Sequence, residues 1–166
     1  MSSPIKKYTL DDDIENTEGY TIGIITSLPS FTLCWHINKL LSINFIKVKD
    51  LELNLKPVKK KPELPSLFAG TEDEIFDEKN ENTSFHSAYK YSNESLFANY
   101  YLIANKGSKT VLWAEMKKIN YFFTIDCIPN EIKVDELIFQ LNNIESVEIA
   151  FEAGNYCMID KLQLAV

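Results

Sequence analysis

The sequence predicts a two-layer α/β sandwich of the α+β type, in the order βαβ–hairpin–βαβ, with both helices on one face of a mainly antiparallel sheet. Three observations predict it. An alternating apolar stretch stops at Pro29, and another stops at Pro129. After each proline come apolar residues at helical spacing, and after each helix a further alternating stretch. Between these two units lie two aromatic-rich segments joined by a short polar link, which is the pattern of a hairpin.

In chain order, residues 1–18 are polar, with Asp11, Asp12, Asp13, Glu15 and Glu18, and read as an arm or an edge segment. From Tyr20 the pattern is that of a strand: Tyr20, Ile22 and Ile24 share one face, Thr21, Gly23 and Ser27 the other. Pro29 stops the strand and Ser30 is the expected helix N-cap. Leu33, Ile37, Leu40 and Leu41 then fall at i, i+4, i+7 and i+8, a stripe that Cys34 widens. A second strand opens near Asn44 with Phe45 and Ile46. Its alternation changes phase at Lys49 and Asp50, before Leu51, Leu53 and Leu55. A one-residue change of phase flips the buried face, so a bulge or a break is expected there.

Residues 56–83 differ in kind. Pro57, Pro62 and Pro65 punctuate them, Lys59–Lys61 form a basic knot, and Glu72, Asp73, Glu74, Asp77, Glu78 and Glu81 form an acidic run. Such a segment has little to bury and reads as a long, charged, mobile insertion. Segments 85–91 and 98–105, joined through Ser92–Ser95, make the hairpin. Residues 109–118 fit a loop or a short helix equally. Tyr121, Phe123, Ile125 and Cys127 alternate with Phe122, Thr124 and Asp126 up to Pro129. Asn130 is placed to cap a helix whose stripe is Val134, Leu137, Ile138 and Leu141, and Val147, Ile149 and Phe151 form the closing strand. Right-handed crossovers put both helices on one side of the sheet, which is the ferredoxin-like arrangement with extra strands. The other sheet face is expected to be more polar, from Thr21, Gly23, Thr124 and Asp126, and open to the insertion or a second subunit.

At 166 residues the chain reads as a single domain, residues 1–166, able to bury roughly 70% of its unfolded surface without a metal or disulfide staple. Hydrophobic residues make up 45% and aromatic residues 12%, a composition that supports a packed core. A formal net charge of -7 argues against a nucleic-acid partner, whose binding face is normally basic. No apolar run approaches the roughly 20 residues of a membrane helix, so no membrane partner is expected. Met1–Lys7 carries lysines with no apolar stretch behind them, so a cytoplasmic location is expected. Cys34, Cys127 and Cys157 form no CxxC and are expected to be reduced and packed.

Ile128-Pro129-Asn130-Glu131-Ile132-Lys133-Val134-Asp135 resembles the motif after which the IPExxxVDY family of small, uncharacterised bacterial proteins is named. Ile128, Pro129, Val134 and Asp135 match, whereas Asn130 stands in place of Glu and Glu136 in place of Tyr. Further likeness lies in Leu102–Lys106, in Met116–Lys118 and around Cys34-Trp35. The resemblance implies a bacterial protein and no known activity, cofactor or substrate. Beside it stands a structural reading of the motif. The proline ends a strand, Asn130 caps, Glu131 and Asp135 meet the positive end of the helix dipole, and Val134 begins the core stripe.

The chemistry-bearing residues are sparse. His36 and His86 lie fifty residues apart with no cysteine at ligand spacing, so no metal site is expected. The five glycines are isolated, which excludes the two glycine-rich phosphate cradles. No GxSxG elbow is present, and Cys34 and Cys127 fall on core faces where a thiol is inert. Asp126 is placed to pair with Lys117 or Lys118. No catalytic residue and no cofactor are therefore assigned. Trp35 lies opposite the core stripe of its helix, alongside Lys39, in the position of an interface anchor. The function these residues favour is a non-catalytic protein-interaction or regulatory domain, a homodimer with room for an unknown protein partner. The first alternative is a small-molecule sensor resembling ACT-type folds, with a pocket near Ser27–Pro29 and Pro129-Asn130. The second is an enzyme holding Asp126 or His36 near a lysine.

Overall fold

A computed structural model of the chain describes residues 19–55, 83–126 and 132–154. In order these are β1 (Tyr20–Thr26), α1 (Ser30–Leu41), β2 (Ile46–Lys47), β3 (Leu51–Asn54), β4 (Thr83–His86), β5 (Ala88–Asn93) and β6 (Ala98–Ala104). A 3-10 turn at Ala114–Met116, β7 (Tyr121–Ile125), α2 (Val134–Asn142) and β8 (Val147–Gly154) follow. Six strands form a sheet in the order β2-β5-β6-β7-β1-β8, and β3 pairs with β4 in a second, two-stranded sheet. Every ladder among the described residues is antiparallel. The fold is mixed α/β around a mainly antiparallel sheet, with two helices among the described residues.

Alternation builds the core. Ile22 and Ile24 of β1, Tyr100 and Leu102 of β6, Phe123 and Ile125 of β7 and Ala150 of β8 enter one buried cluster. Leu33, Cys34 and Ile37 of α1 and Leu137 and Leu141 of α2 belong to the same cluster. Each fully buried Leu, Ile or Phe there stabilises the fold by about 1.5–3 kcal/mol. Phe123 is met edge-on by Phe45 at 5.9 Å and by Tyr100 at 6.2 Å between ring centroids, a geometry that suits the ring quadrupoles. Leu40, expected on the α1 stripe, is instead 38% exposed. At 100° per residue Leu40 falls at one margin of the buried face and Cys34 at the other, with Ile37 between them, and the face is rolled towards Cys34.

The helix starts differ from those expected. Ser30 is the first helical residue of α1, Pro29 holds the N-cap position without a side-chain cap, and the Ser30 Oγ lies 3.3 Å from the Tyr89 hydroxyl. α2 begins at Val134, with Lys133 at the N-cap position and no side-chain cap. Asp135 and Glu136 lie in its first turn, at the positive end of the helix dipole; of the pair expected there from sequence, Glu131 lies outside the described residues. Cys127, Ile128, Pro129, Asn130 and Glu131 lie outside the described residues, as do residues 1–18, 56–82 and 155–166. Thr83, placed in the insertion from sequence, opens β4.

The change of phase at Lys49-Asp50 is a change of sheet. β2 pairs with β5 (Lys47↔Tyr89) and β3 with β4 (Leu51↔His86), so residues 48–50 stand opposite only 87 and 88. That extra residue re-aims the β3–β4 pair out of the main sheet. The single strand expected at 85–91 is accordingly two, broken at Ser87.

The sheet face bearing Thr21, Gly23 and Thr124 is not the open polar surface expected. Thr21 and Thr124 are wholly buried, their hydroxyls 3.2 Å apart. The segment from Asn105 to Asn120 lies over this face and brings Ile119, Leu112, Trp113 and Met116 onto Phe122, Phe151 and Ala153. Its approach requires the glycine of β1, because a Cβ at Gly23 would lie 2.7 Å from the Ile119 Cδ1. Small polar residues on an alternating strand marked close packing here, not exposure to water.

Candidate functional site

The outer side of α1 carries two exposed large aromatic side chains. Phe31 is 68% and Trp35 57% exposed, at i and i+4, so they sit one above the other on the helix surface. Lys39 continues the row, its Nζ 5.4 Å from the centroid of the Trp35 ring, within cation–π range. The half-buried His36 presents its ring edge-on to Trp35 at 4.9 Å. Position dictates this row: with Leu33, Cys34 and Ile37 turned into the core, residues 31, 35 and 39 face outward. On α2, Phe139 is likewise 68% exposed.

A cavity of about 260 Å³ lies where the end of α1 meets the start of α2. Leu41, Ile43 and Leu137 form its apolar wall, and Tyr100, Lys133 and Glu136 contribute polar groups. This is not the pocket expected from sequence. β1 and β7 run antiparallel, with Tyr20 opposite Ile125 and Ile24 opposite Tyr121, so the starts of α1 and α2 lie at opposite ends of the sheet. Ser27–Pro29 therefore cannot share a pocket with the start of α2.

The other candidate residues are engaged structurally. Asp126 accepts hydrogen bonds from the Asn99 amide at 2.7 Å and the Asn99 Nδ2 at 2.6 Å, and Lys117 and Lys118 do not reach it. Burial pushes the Cys34 thiol up to about 11, consistent with its core position. Tyr20 is pushed up to about 12, first by burial, then by a hydrogen bond to Glu152 and the negative charge of Glu152 and Asp135. Among the described residues no three His, Cys, Asp or Glu side chains gather as metal ligands, and no helix is long and apolar enough to cross a membrane. Val134 is half-buried at the head of the α2 stripe and Asp135 is exposed.

Sequence reasoning missed a buried polar cluster. His86 and Asn105 are wholly buried. The Asn105 Nδ2 donates to the carbonyls of Met116 at 3.0 Å and Ile119 at 2.9 Å, while its Oδ1 accepts from the Trp113 amide at 2.9 Å. His86 shares a hydrogen bond with the Ala104 carbonyl through Nδ1 at 3.1 Å, and its Nε2 has no hydrogen-bond partner. Gly107 packs against that nitrogen so closely that a Cβ would lie 2.6 Å from it. These groups hold the 105–120 segment in place, and none is open to a substrate.

Comparison with protein-family models, with curated proteins and with solved structures returned no match.

Proposed function

We propose that the chain is a non-catalytic interaction domain that binds a protein partner, a second copy of itself in the first instance, through the outer face of α1. One observation carries this reading: Phe31 and Trp35 stand exposed one turn apart, with Lys39 over the indole. Tryptophan is among the residue types that most often anchor an interface, and here the ring is engaged by Lys39 and by the His36 imidazole while still exposed. The proposal takes the order β8-β1-β7-β6 as a ferredoxin-like plan extended by β5 and β2, with the two helices over one face. It also takes the motif ending in Val134 and Asp135 as membership of the IPExxxVDY family, and a bacterial cytoplasm as the setting. Light scattering of the intact chain across concentrations tests it, together with the same chain carrying Trp35→Ala. Self-association weakened by about tenfold or more in the variant, with unchanged thermal stability, is the expected result. A monomer at every concentration, with no partner recovered by crosslinking in its own cells, overturns it.

The cavity beside α2 favours a second reading, a small-molecule sensor. An apolar wall with Lys133 and Glu136 at its rim suits a small zwitterion. Thermal shifts across a panel of amino acids and nucleotides distinguish this reading from the first, since none is expected if α1 alone serves the function.

A further inference from the structure

β8 is an eight-residue edge strand in the described sheet, bonded to β1 on one side. An open edge of that length normally invites a further strand. Its register with β1 is regular only from Ile149 to Glu152 and shifts on either side. Within that run Ala150 stands opposite Ile24. The Ile24 carbonyl turns the other way and accepts the Asn120 amide at 2.9 Å, so the Ala150 amide and carbonyl point outward.

Both outward groups are already taken. The Ala150 N–H donates to the Asn142 Oδ1 at 2.8 Å, and the Asn142 Nδ2 donates to the Ala150 carbonyl at 2.9 Å. The same Nδ2 donates to the Ile138 carbonyl at 2.9 Å, which fixes the side chain against the last turn of α2. Asn142 ends that helix, and a tight return through Ser146, at a φ of 71°, lays β8 alongside it. A carboxamide presents an N–H and a C=O side by side in one plane, as the N–H and C=O of a single residue do along one edge of a strand, and its second N–H is the one that holds the Ile138 carbonyl. Asn142 thus occupies the place a neighbouring strand would fill at a hydrogen-bonded pair.

We infer that Asn142 is a latch that closes the β8 edge against strand addition, and that the occupant it excludes is β8 of a second copy. The vacated groups are self-complementary: in an antiparallel β8–β8 pair centred on Ala150, each copy supplies the N–H and C=O that the other needs. The two register shifts and the exposed carboxylates of Glu148 and Glu152 further discourage pairing at this edge. The inference is independent of the α1 surface, and association through α1 leaves it untouched.

Two measurements test it. In the unaltered chain the Ala150 amide exchanges with solvent at least ~100-fold more slowly than a free amide, because a latched N–H opens only by local unfolding. Exchange at the free-amide rate overturns the latch, and this result needs no variant. Asn142→Ala, by light scattering, doubles the molar mass relative to the unaltered chain at the same concentration. Adding Ala150→Pro, which removes the outward N–H without touching the β1 ladder, restores the original mass. A folded Asn142→Ala chain of unchanged mass, or an increase that Ala150→Pro fails to reverse, overturns the proposed occupant.

Discussion

Cys34 has the surroundings of an inert thiol. It is 5% exposed among Leu33, Ile37 and the sheet, and burial alone pushes its ionisation up to about 11. Two outcomes follow at this scale. Thiol reagents at neutral pH leave Cys34 unmodified in the folded chain and label it on unfolding in urea, as mass spectrometry of its peptide will record. The pH dependence has a definite sign. Above the ordinary thiol value of 9.0 the unfolded chain releases a proton that the folded chain keeps, so this group makes stability fall as pH rises from about 9 towards 11. Below that window it contributes no slope, and urea titrations at a series of pH values check both parts. The core partners of Cys34 were legible from spacing alone. Asn105 and His86 were not, because a buried asparagine or histidine has the same letters as an exposed one, and only its hydrogen-bond partners distinguish them.

Among elements, the segment from Asn105 to Asn120 behaves as a strap over the second face of the sheet. Its backbone is tied down by Asn105, whose side chain serves one amide and two carbonyls. Asn105→Ala leaves those groups buried and unpaired, at a cost of about 1–3 kcal/mol, measurable as a lower urea midpoint. The Trp113 amide should then exchange faster while the amides of β7 keep their protection until global unfolding. Strands and helices of this chain were readable where one period persisted, as in β1, α1, β7 and α2. The strap was not, because residues 109–118 have no period. The polar letters of Thr21, Gly23 and Thr124 pointed to an open face when they in fact mark close approach. The change of phase at Lys49-Asp50 was visible in sequence, but its outcome, a strand that leaves for a second sheet, depends on pairing with residues 83–89, far along the chain.

For the whole molecule, topology outweighs local propensity. β1 lies between β7 and β8, so its two neighbours come from the far end of the chain. A sheet closed by such distant pairing folds slowly for its size, on the order of milliseconds to seconds, and refolding by stopped-flow fluorescence should show it. A chain ending before Val147 loses one of the two partners of β1 and the cover over Ile24. It should melt without a cooperative transition in circular dichroism. The alternation pattern of the sequence foretold the strands and said little about who pairs with whom. Distances of that kind appear only when the ladder is assembled.

The central place of β1 also matters during synthesis on the ribosome. The strand emerges early and must wait for Val147–Gly154, roughly ten seconds at the usual pace of elongation. Until Tyr121–Ile125 follows, Ile22 and Ile24 have no sheet to enter, and the nascent chain exposes them to any holding chaperone at the exit tunnel; from then until β8 arrives one side of β1 stays unpaired.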